Sequence, residues 1–327
     1  MPNSALRSFR DPDEYDGAIR AGSFSGLRLA RGEFRAELTR VDLGGVWMQR
    51  FRESAARSAR VAPHASRSAV LFRTPEEGGV LSHRGNEVDD ATLVFFGAGT
   101  VDDQFSNGPV GFGTMSLAPA DLARFGALIG EADLASPRAT TALRPDPAAL
   151  ARLRFLHQAA ARLARTDPGR IDHPQVARAL EDAFVGAMVR CLAGGRPAPA
   201  WRPGERRGAL IRRMEELLAG RRSLPVYVTD LCQSLGVGER ALERACQDFL
   251  GMGPKRYLWL RRLHLARRSL VETDASQTTV AQVALAHGFW ELGRFAVQYR
   301  QAFGERPSET LRRPKRDHAA PSNPLVL

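Results

Sequence analysis

The sequence predicts an α+β protein of two domains, in which a β-rich N-terminal domain precedes an all-α domain with two helix-turn-helix units. Three observations support this class. Short β-rich runs occupy roughly the first 140 positions, the apolar period lengthens to nearly four residues at about position 148, and a glycine-ended pair of helices occurs twice near the C-terminus. With 327 residues and a hydrophobic content of 43%, the chain is long enough to form two buried cores.

The first part of the chain is typical of short strands joined by turns. The β-rich runs lie at 34–38, 46–51, 68–72 and 92–96, and turn clusters separate them at 44–45, 75–79 and 108–109. This pattern predicts a sandwich or a barrel. Six large apolar side chains either line a barrel mouth that holds an apolar ligand or fill the core, and the unknown register leaves both roles open: Trp47, Met48, Phe72, Phe95, Phe96 and Phe112.

Two amphipathic helices are predicted over about 148–192, and they complete an N-terminal domain placed at 1–192. Their apolar stripes contain Leu150, Leu153, Leu156, Ala160 and Leu163 in the first helix, and Val176, Leu180, Phe184, Ala187, Met188 and Cys191 in the second. Such a pair either packs on the β-structure or pairs with the helices of another subunit. The Gly- and Pro-rich segment 193–205 is predicted to be an interdomain linker.

The C-terminal domain is predicted over 206–313, and its first helix spans 206–220. In the first helix-turn-helix unit, we expect the hydroxyl of Thr229 to cap a helix that ends at Gly236. The second helix of this unit follows at 238–250, and Gly251 closes it.

The same order of signals returns about fifty residues later. Thr279 and Gln282 have the spacing of a capping box, and the partner helix at 291–303 is closed by Gly304. A connecting helix at 254–272 begins with proline at a tolerated first-turn position and is about 27 Å long. That length suits two reading helices in successive major grooves, about 34 Å apart. The tail at 314–327 is predicted to be mobile.

The net charge of +11 is concentrated in the C-terminal domain. Residues 202–316 contain 22 Arg and Lys against 12 Asp and Glu, whereas residues 1–201 contain 25 against 23. A local surplus of positive charge attracts polyanions and makes their binding salt-dependent. The asymmetry therefore favours a nucleic-acid partner for the C-terminal domain over a uniformly charged surface.

Between residues 228 and 308 the chain resembles the AraC/XylS family of bacterial transcriptional regulators. The resemblance covers roughly the last third of the chain and rests on three segments: Val228–Cys232 with Arg240–Arg244, Gly251–Leu258 with Arg261–Leu263 and Ala266-Arg267, and Val283-Ala284 through Gly288–Trp290 to Tyr299–Ser308. It implies a sequence-specific regulator, more often an activator, that acts with RNA polymerase. It also implies a cupin-like β-barrel before the DNA-binding part, which holds a small effector, and dimerisation through helices.

Six residues are expected to face the bases. Arg240, Glu243 and Arg244 share one helix face by their three- and four-residue spacing, and the family alignment places the same positions in the groove. In the second unit the family pattern selects Leu292, Arg294 and Val297, of which Arg294 has obvious base-reading capacity. Leu292 and Val297 could contact thymine methyl groups, and Trp290 either packs or contacts the DNA backbone.

Phosphate contacts are expected from side chains at helix starts and from nearby cations. These are Thr229, Thr279 and Ser308, together with Lys255, Arg256, Arg261 and Arg300. Such contacts position a protein on DNA without specifying sequence.

Other classes of function have little support in the sequence. The three cysteines, Cys191, Cys232 and Cys246, are far apart and interpreted as small core residues, so neither a disulfide framework nor a zinc site is expected. The β-rich region has only His64 and His83, without a metal-ligand spacing, and no catalytic motif or cofactor site is present. Early arginines interrupt any apolar run, which predicts a cytoplasmic protein without a membrane segment. The alternatives are a metal-dependent cupin enzyme fused to a DNA-binding domain and a non-specific nucleic-acid-binding protein.

Overall fold

The computed structural model describes residues 2–20, 22–29, 33–75, 78–130, 133–198, 206–220 and 226–313. Part of the predicted linker, at 199–205, and the predicted tail at 314–327 lie outside these residues. None of the helices in the described part of the chain is long and apolar enough to cross a membrane.

The β-structure lies before residue 198 and is built from antiparallel pairs. The strands are β1 (Asn3–Phe9), β2 (Gly22–Arg28), β3 (Ala36–Asp42), β4 (Trp47–Glu53), β5 (Arg57–Pro63), β6 (Ser68–Arg73), β7 (Leu81–His83), β8 (Asn86–Glu87), β9 (Leu93–Phe95), β10 (Asp102–Ser106), β11 (Val110–Leu117), β12 (Thr141–Arg144) and β13 (Arg196–Pro197). One sheet has the order β1-β3-β4-β11-β6-β9-β12-β13, and the other has the order β2-β5-β10-β7-β8. Within the described residues neither order returns to its first strand, so the expected closed, cupin-like barrel is not confirmed.

The helices are α1 (Pro12–Ala18), α2 (Pro119–Phe125), α3 (Pro147–Thr166), α4 (Gly169–Asp172), α5 (Pro174–Ala193), α6 (Arg206–Ala219), α7 (Val228–Leu235), α8 (Glu239–Leu250), α9 (Pro254–Glu272), α10 (Val280–Ala286), α11 (Leu292–Phe303) and α12 (Pro307–Arg312). A short π-helical turn at Gly126–Gly130 follows α2. Proline occupies the first turn of α3, α5 and α9, where its missing N–H leaves no hydrogen bond unmade.

Alternation along the strands gives the larger sheet two buried faces. Side chains such as Phe51 and Phe112, which are opposite each other in register with ring centroids 4.5 Å apart, belong to a core shared with the smaller sheet. Side chains on the opposite face of the same sheet, such as Met48 of β4 and Phe72 of β6, instead pack against α3 and α5. The helix pair therefore packs on the β-structure.

The six large apolar residues divide between these layers. Met48, Phe72 and Phe95 lie in the layer under the helices, and Phe96 and Phe112 lie in the core between the sheets. Trp47 is half-buried, and the Arg67 guanidinium lies 4.2 Å from its ring centroid. Packing against neighbouring elements, which the strand pattern does not specify, decides these positions.

The cysteine prediction holds for two of three residues. Cys191 and Cys246 are fully buried, whereas Cys232 is only half-buried. His83 is buried with its Nε2 atom 3.5 Å from Asp102 Oδ2, and His64 is exposed. Across the described ranges, no three His, Cys, Asp or Glu side chains are grouped so as to hold a metal ion.

The predicted glycine positions end the C-terminal helices as expected. Gly236, Gly251 and Gly304 follow α7, α8 and α11 with φ of 66°, 65° and 77°, in the left-handed region that glycine adopts without steric cost. The predicted capping box is present, because Thr279 Oγ1 accepts from the Gln282 N–H at 3.2 Å and Gln282 Oε1 accepts from the Thr279 N–H at 2.8 Å.

The prediction of Thr229 as an N-cap is wrong. Helix α7 begins at Val228, so its N-cap is Tyr227, two residues before the predicted cap. The Asp230 carboxylate accepts a hydrogen bond from the Tyr227 N–H at 3.0 Å. Asp230 is the third residue of the helix, so the start of α7 is stabilised by this carboxylate and not by the Thr229 hydroxyl.

Candidate nucleic-acid interface

Helix α9 is shared by the cores of both helix-turn-helix units. Tyr257, Leu258 and Leu260, in its first half, belong to the core formed with α6, α7 and α8. Leu263, Ala266 and Leu270, in its second half, belong to the core formed with α10 and α11. Trp259 packs against both cores. One continuous helix therefore supplies side chains to the cores of both units.

Helix α8 presents the three predicted reading residues to solvent. Leu242, Ala245, Cys246 and Leu250 are its buried residues, and they attach the helix to the first core. The opposite face exposes Arg240, Glu243 and Arg244. Their exposure follows from the helical period, since positions 240, 243 and 244 lie on one face and 242, 245 and 246 on the other.

Helix α11 has the same division in the second unit. Phe295, Tyr299 and Ala302 are buried. The buried Tyr299 hydroxyl donates a hydrogen bond to Thr310 Oγ1 at 2.9 Å, which satisfies a polar group that would otherwise be costly to bury. The predicted reading residues are exposed, at 40% for Leu292 and 58% for Val297, and Arg294 is solvent-facing with Nη1 3.8 Å from Glu291 Oε1.

A groove of about 470 Å³ lies between the first half of α9 and the turn before α11. Arg256, Trp259 and Arg262, three residues apart on α9, line one side of it, and Trp290 and Arg294 line the other. The Trp290 side chain is 75% exposed, so it does not belong to the core. Sequence reasoning missed Arg262 as part of this basic surface, although the three-residue steps from Arg256 to Trp259 and from Trp259 to Arg262 are visible in the sequence.

Most of the predicted phosphate contacts lie where solvent reaches them. Lys255 and Arg256 are exposed in the first turn of α9, and Arg300 is exposed in the last turn of α11. Thr279 is exposed at the N-cap of α10. The remaining two are the exposed Thr229 and the half-buried Ser308, in the first turns of α7 and α12.

Arg261 is the exception, and its assignment as a phosphate contact is corrected. The residue is only 3% exposed, its Nη2 atom donates to the Leu218 carbonyl at 2.7 Å, and its Nη1 atom lies 3.9 Å from Glu215 Oε2. The Tyr257 hydroxyl donates to the same Glu215 carboxylate. Burial and the neighbouring Glu215 charge raise the pKa of Tyr257, so this hydroxyl keeps its proton. Arg261 therefore joins α9 to α6 inside the first unit.

Two helix-turn-helix units with solvent-facing second helices and a basic surface define a DNA-binding protein of the helix-turn-helix class. Residues 231–313 match a protein family described as "Helix-turn-helix domain". On the sequence similarity of this region, the chain belongs to the AraC/XylS family of transcriptional regulators, which confirms the resemblance.

Two named relatives match this chain over part of their length. The chain is 29% identical over 140 residues to the probable thc operon regulatory protein of Rhodococcus erythropolis, covering 43% of this chain and 42% of that protein. It is 41% identical over 80 residues to the XylDLEGF operon transcriptional activator of Pseudomonas putida, covering 24% of this chain and 25% of that protein. The AraC-like transcriptional activator CuxR is a solved structure that aligns with a TM-score of 0.37 at 13% identity, over 81% of this chain and 96% of that one. The matched segments thus span less than half the length of the Rhodococcus erythropolis and Pseudomonas putida proteins.

Proposed function

We propose that this protein is a sequence-specific transcription regulator that binds two adjacent major grooves with α8 and α11. The observation that carries the proposal is α9, which contributes to both cores and so connects the two units that expose the reading faces. A non-specific binder would not need that geometry. The test is competition binding at fixed salt, in which the DNA upstream of its own gene should be bound at least about a thousandfold more tightly than unrelated DNA. Equal affinities would contradict the proposal.

We propose that the protein activates transcription, as one of its relatives is named to do. The Pseudomonas putida protein that is 41% identical over 80 residues is named as a transcriptional activator, and this supports activation. RNA polymerase is the proposed partner because an activator raises the rate of transcription. A regulator of this kind acts on chromosomal DNA in the cytoplasm. Transcription in vitro from the bound promoter should rise on addition of the protein, and repression would contradict this part of the proposal.

The N-terminal domain is proposed to sense a small molecule. A cavity of about 50 Å³ lies between the sheets, with apolar walls from Phe51, Leu71 and Phe112 and polar groups from Gln49 and Gln104. This combination suits an apolar molecule with a polar group, although entry requires the side chains to move apart. Thermal unfolding of the protein with a metabolite panel tests the idea, and the absence of any stabilising compound of this type would oppose it.

A homodimer is proposed to form through the outer face of α3. Phe155 is 60% exposed at the middle of that face, with Arg152 and Arg162 exposed beside it. Aromatic side chains are enriched in protein–protein interfaces. Sedimentation at micromolar concentration should show a dimer that Phe155→Glu converts to monomer, and a wild-type monomer would contradict this arrangement.

Arg240→Ala should cost about 1 to 3 kcal/mol of binding free energy on the operator and relax preference at one base pair, because arginine can make two hydrogen bonds to a guanine edge. The measurement is the affinity for operator duplexes substituted at each base pair. Arg178→Ala removes the same charge from the exposed face of α5 and serves as the control. An equal loss on every sequence would refute base reading by Arg240.

Lys255→Ala should weaken binding to all sequences alike, because a phosphate contact carries no sequence information. The slope of log affinity against log salt should fall in magnitude by about one unit. The matched control is Arg138→Ala, an exposed cation outside the C-terminal helices. If Lys255→Ala leaves the slope unchanged, Lys255 does not contact phosphate.

A further inference from the structure

The second helix-turn-helix unit is joined to the N-terminal domain through one buried arginine. Arg267 of α9 is 4% exposed, and its Nη2 atom donates to Asp11 Oδ2 at 2.5 Å. Its Nη1 atom donates to Asp13, and Nη2 lies 3.5 Å from Glu305 Oε1 in the turn after α11. Arg313 extends the network, bonding Asp11 Oδ2 at 3.0 Å and Glu305 Oε2 at 2.5 Å. Arg267 and Arg313 thus join two carboxylates of the N-terminal domain, Asp11 and Asp13, to Glu305 in the turn after α11.

Asp11 has two separate tasks at this junction. Its Oδ1 atom caps α1 by accepting from the Asp13 N–H at 2.9 Å, whereas its Oδ2 atom receives the two guanidinium groups. Burial alone would raise the pKa of the Asp11 carboxyl, but the charge and hydrogen bonds of Arg267, with those from the Asp13 backbone and Arg313, lower it overall. The carboxylate is therefore charged at neutral pH.

The same stretch of the N-terminal domain also contacts the first unit. Leu27 and Leu29, at the end of β2 and just beyond it, are 0% and 2% exposed and belong to the core that contains Leu210 and Met214 of α6. Strand β2 packs against α9, and the His264 side chain hydrogen-bonds to the backbone of Arg28. A single segment, residues 11–20 and 22–29, thus reaches both units. We call it the bridging segment.

We propose that the bridging segment sets the relative placement of the two reading helices, and that Asp11 and Asp13 are positioning residues that act through Arg267. The contact leaves all six predicted reading residues exposed, so it does not block the surface that faces DNA. Fixing both units before binding lowers the entropy cost of engaging two grooves at once. The N-terminal domain then contributes to DNA recognition without touching DNA.

The inference rests on the proposed two-groove binding, and spacing preference tests it. The full chain and the double variant Asp11→Asn, Asp13→Asn are compared on three duplexes: the footprinted operator, the operator with its second half-site replaced, and the operator with one base pair inserted between the half-sites. Asparagine caps helices as well as aspartate does, so α1 should persist. The control is Asp172→Asn, Asp182→Asn, which changes the same charge at exposed aspartates near α4 and α5.

The double variant should bind the intact operator about tenfold more weakly, from the loss of charged hydrogen bonds, and bind the single half-site as the control does. Its preference for native over inserted spacing should shrink, which simple destabilisation would not cause. An unchanged spacing preference, or tighter operator binding, would overturn the inference. If the wild-type protein itself does not distinguish one half-site from two, the proposed function fails instead.

Discussion

Replacing Arg261 by alanine is expected to lower the free energy of unfolding of the C-terminal helices by about 3 to 5 kcal/mol, because removing one partner of a buried charge pair leaves the other uncompensated. Glu215, which is 3% exposed, would keep only the Tyr257 hydroxyl, and the Leu218 carbonyl would lose its donor. Urea unfolding followed by helical circular dichroism measures the change.

The matched control for Arg261 is Arg256→Ala, on the exposed face of the same helix. This variant should change stability by less than about 0.5 kcal/mol while reducing the salt dependence of DNA binding. The two arginines thus separate a structural role from a phosphate role. A stable Arg261→Ala protein with a shallower salt slope would reverse the assignment.

Arg57→Ala is expected to destabilise the N-terminal domain by a similar amount, about 3 to 5 kcal/mol, since this arginine is the cation of a buried network. Its Nη2 atom lies 2.5 Å from Asp16 Oδ1 and its Nη1 atom 3.2 Å from Glu53 Oε1, while Tyr15 donates to Glu53 at 2.8 Å. The guanidinium also lies 5.1 Å from the Tyr15 ring centroid. Without Arg57, the carboxylates of Asp16 and Glu53 would lose the cation that both of them contact.

The comparison variant for Arg57 is Arg35→Ala. Arg35 pairs with Glu33 at 2.8 Å, but both side chains are more than 60% exposed, so its loss should cost less than about 1 kcal/mol. Thermal unfolding of the full chain distinguishes the two. Equal, small effects of both substitutions would show that the Arg57 network does not stabilise the domain.

Local signals in the C-terminal sequence were sufficient to predict its helices. Glycine at 236, 251 and 304, proline at 254 and the Thr279–Gln282 pair each act within a few residues, and the structure has helix ends at those places. The connecting helix runs from Pro254 to Glu272 as predicted. The Thr229 cap prediction is wrong because the neighbouring Asp230 carboxylate accepts from the Tyr227 N–H, and the helix then begins two residues before the predicted start.

Contacts between distant parts of the chain were beyond sequence reasoning. Arg267 and Asp13 are 254 residues apart, and no periodicity links them. Arg261 and Arg262 are adjacent and chemically identical, yet only Arg261 lies on the face of α9 that packs against α6. Similarly, the strand pattern predicted which residues alternate but not which sheet each strand joins, so the expected closed barrel could not be distinguished from two sheets.

Hydroxyl-radical footprinting of the upstream DNA tests the central claim most directly. Two protected patches should lie on one face of the duplex, with centres about 10 base pairs apart, one for α8 and one for α11. Arg240→Ala should weaken the first patch selectively. A single patch, or protection that is the same on unrelated DNA, would contradict a pair of reading helices held one DNA turn apart.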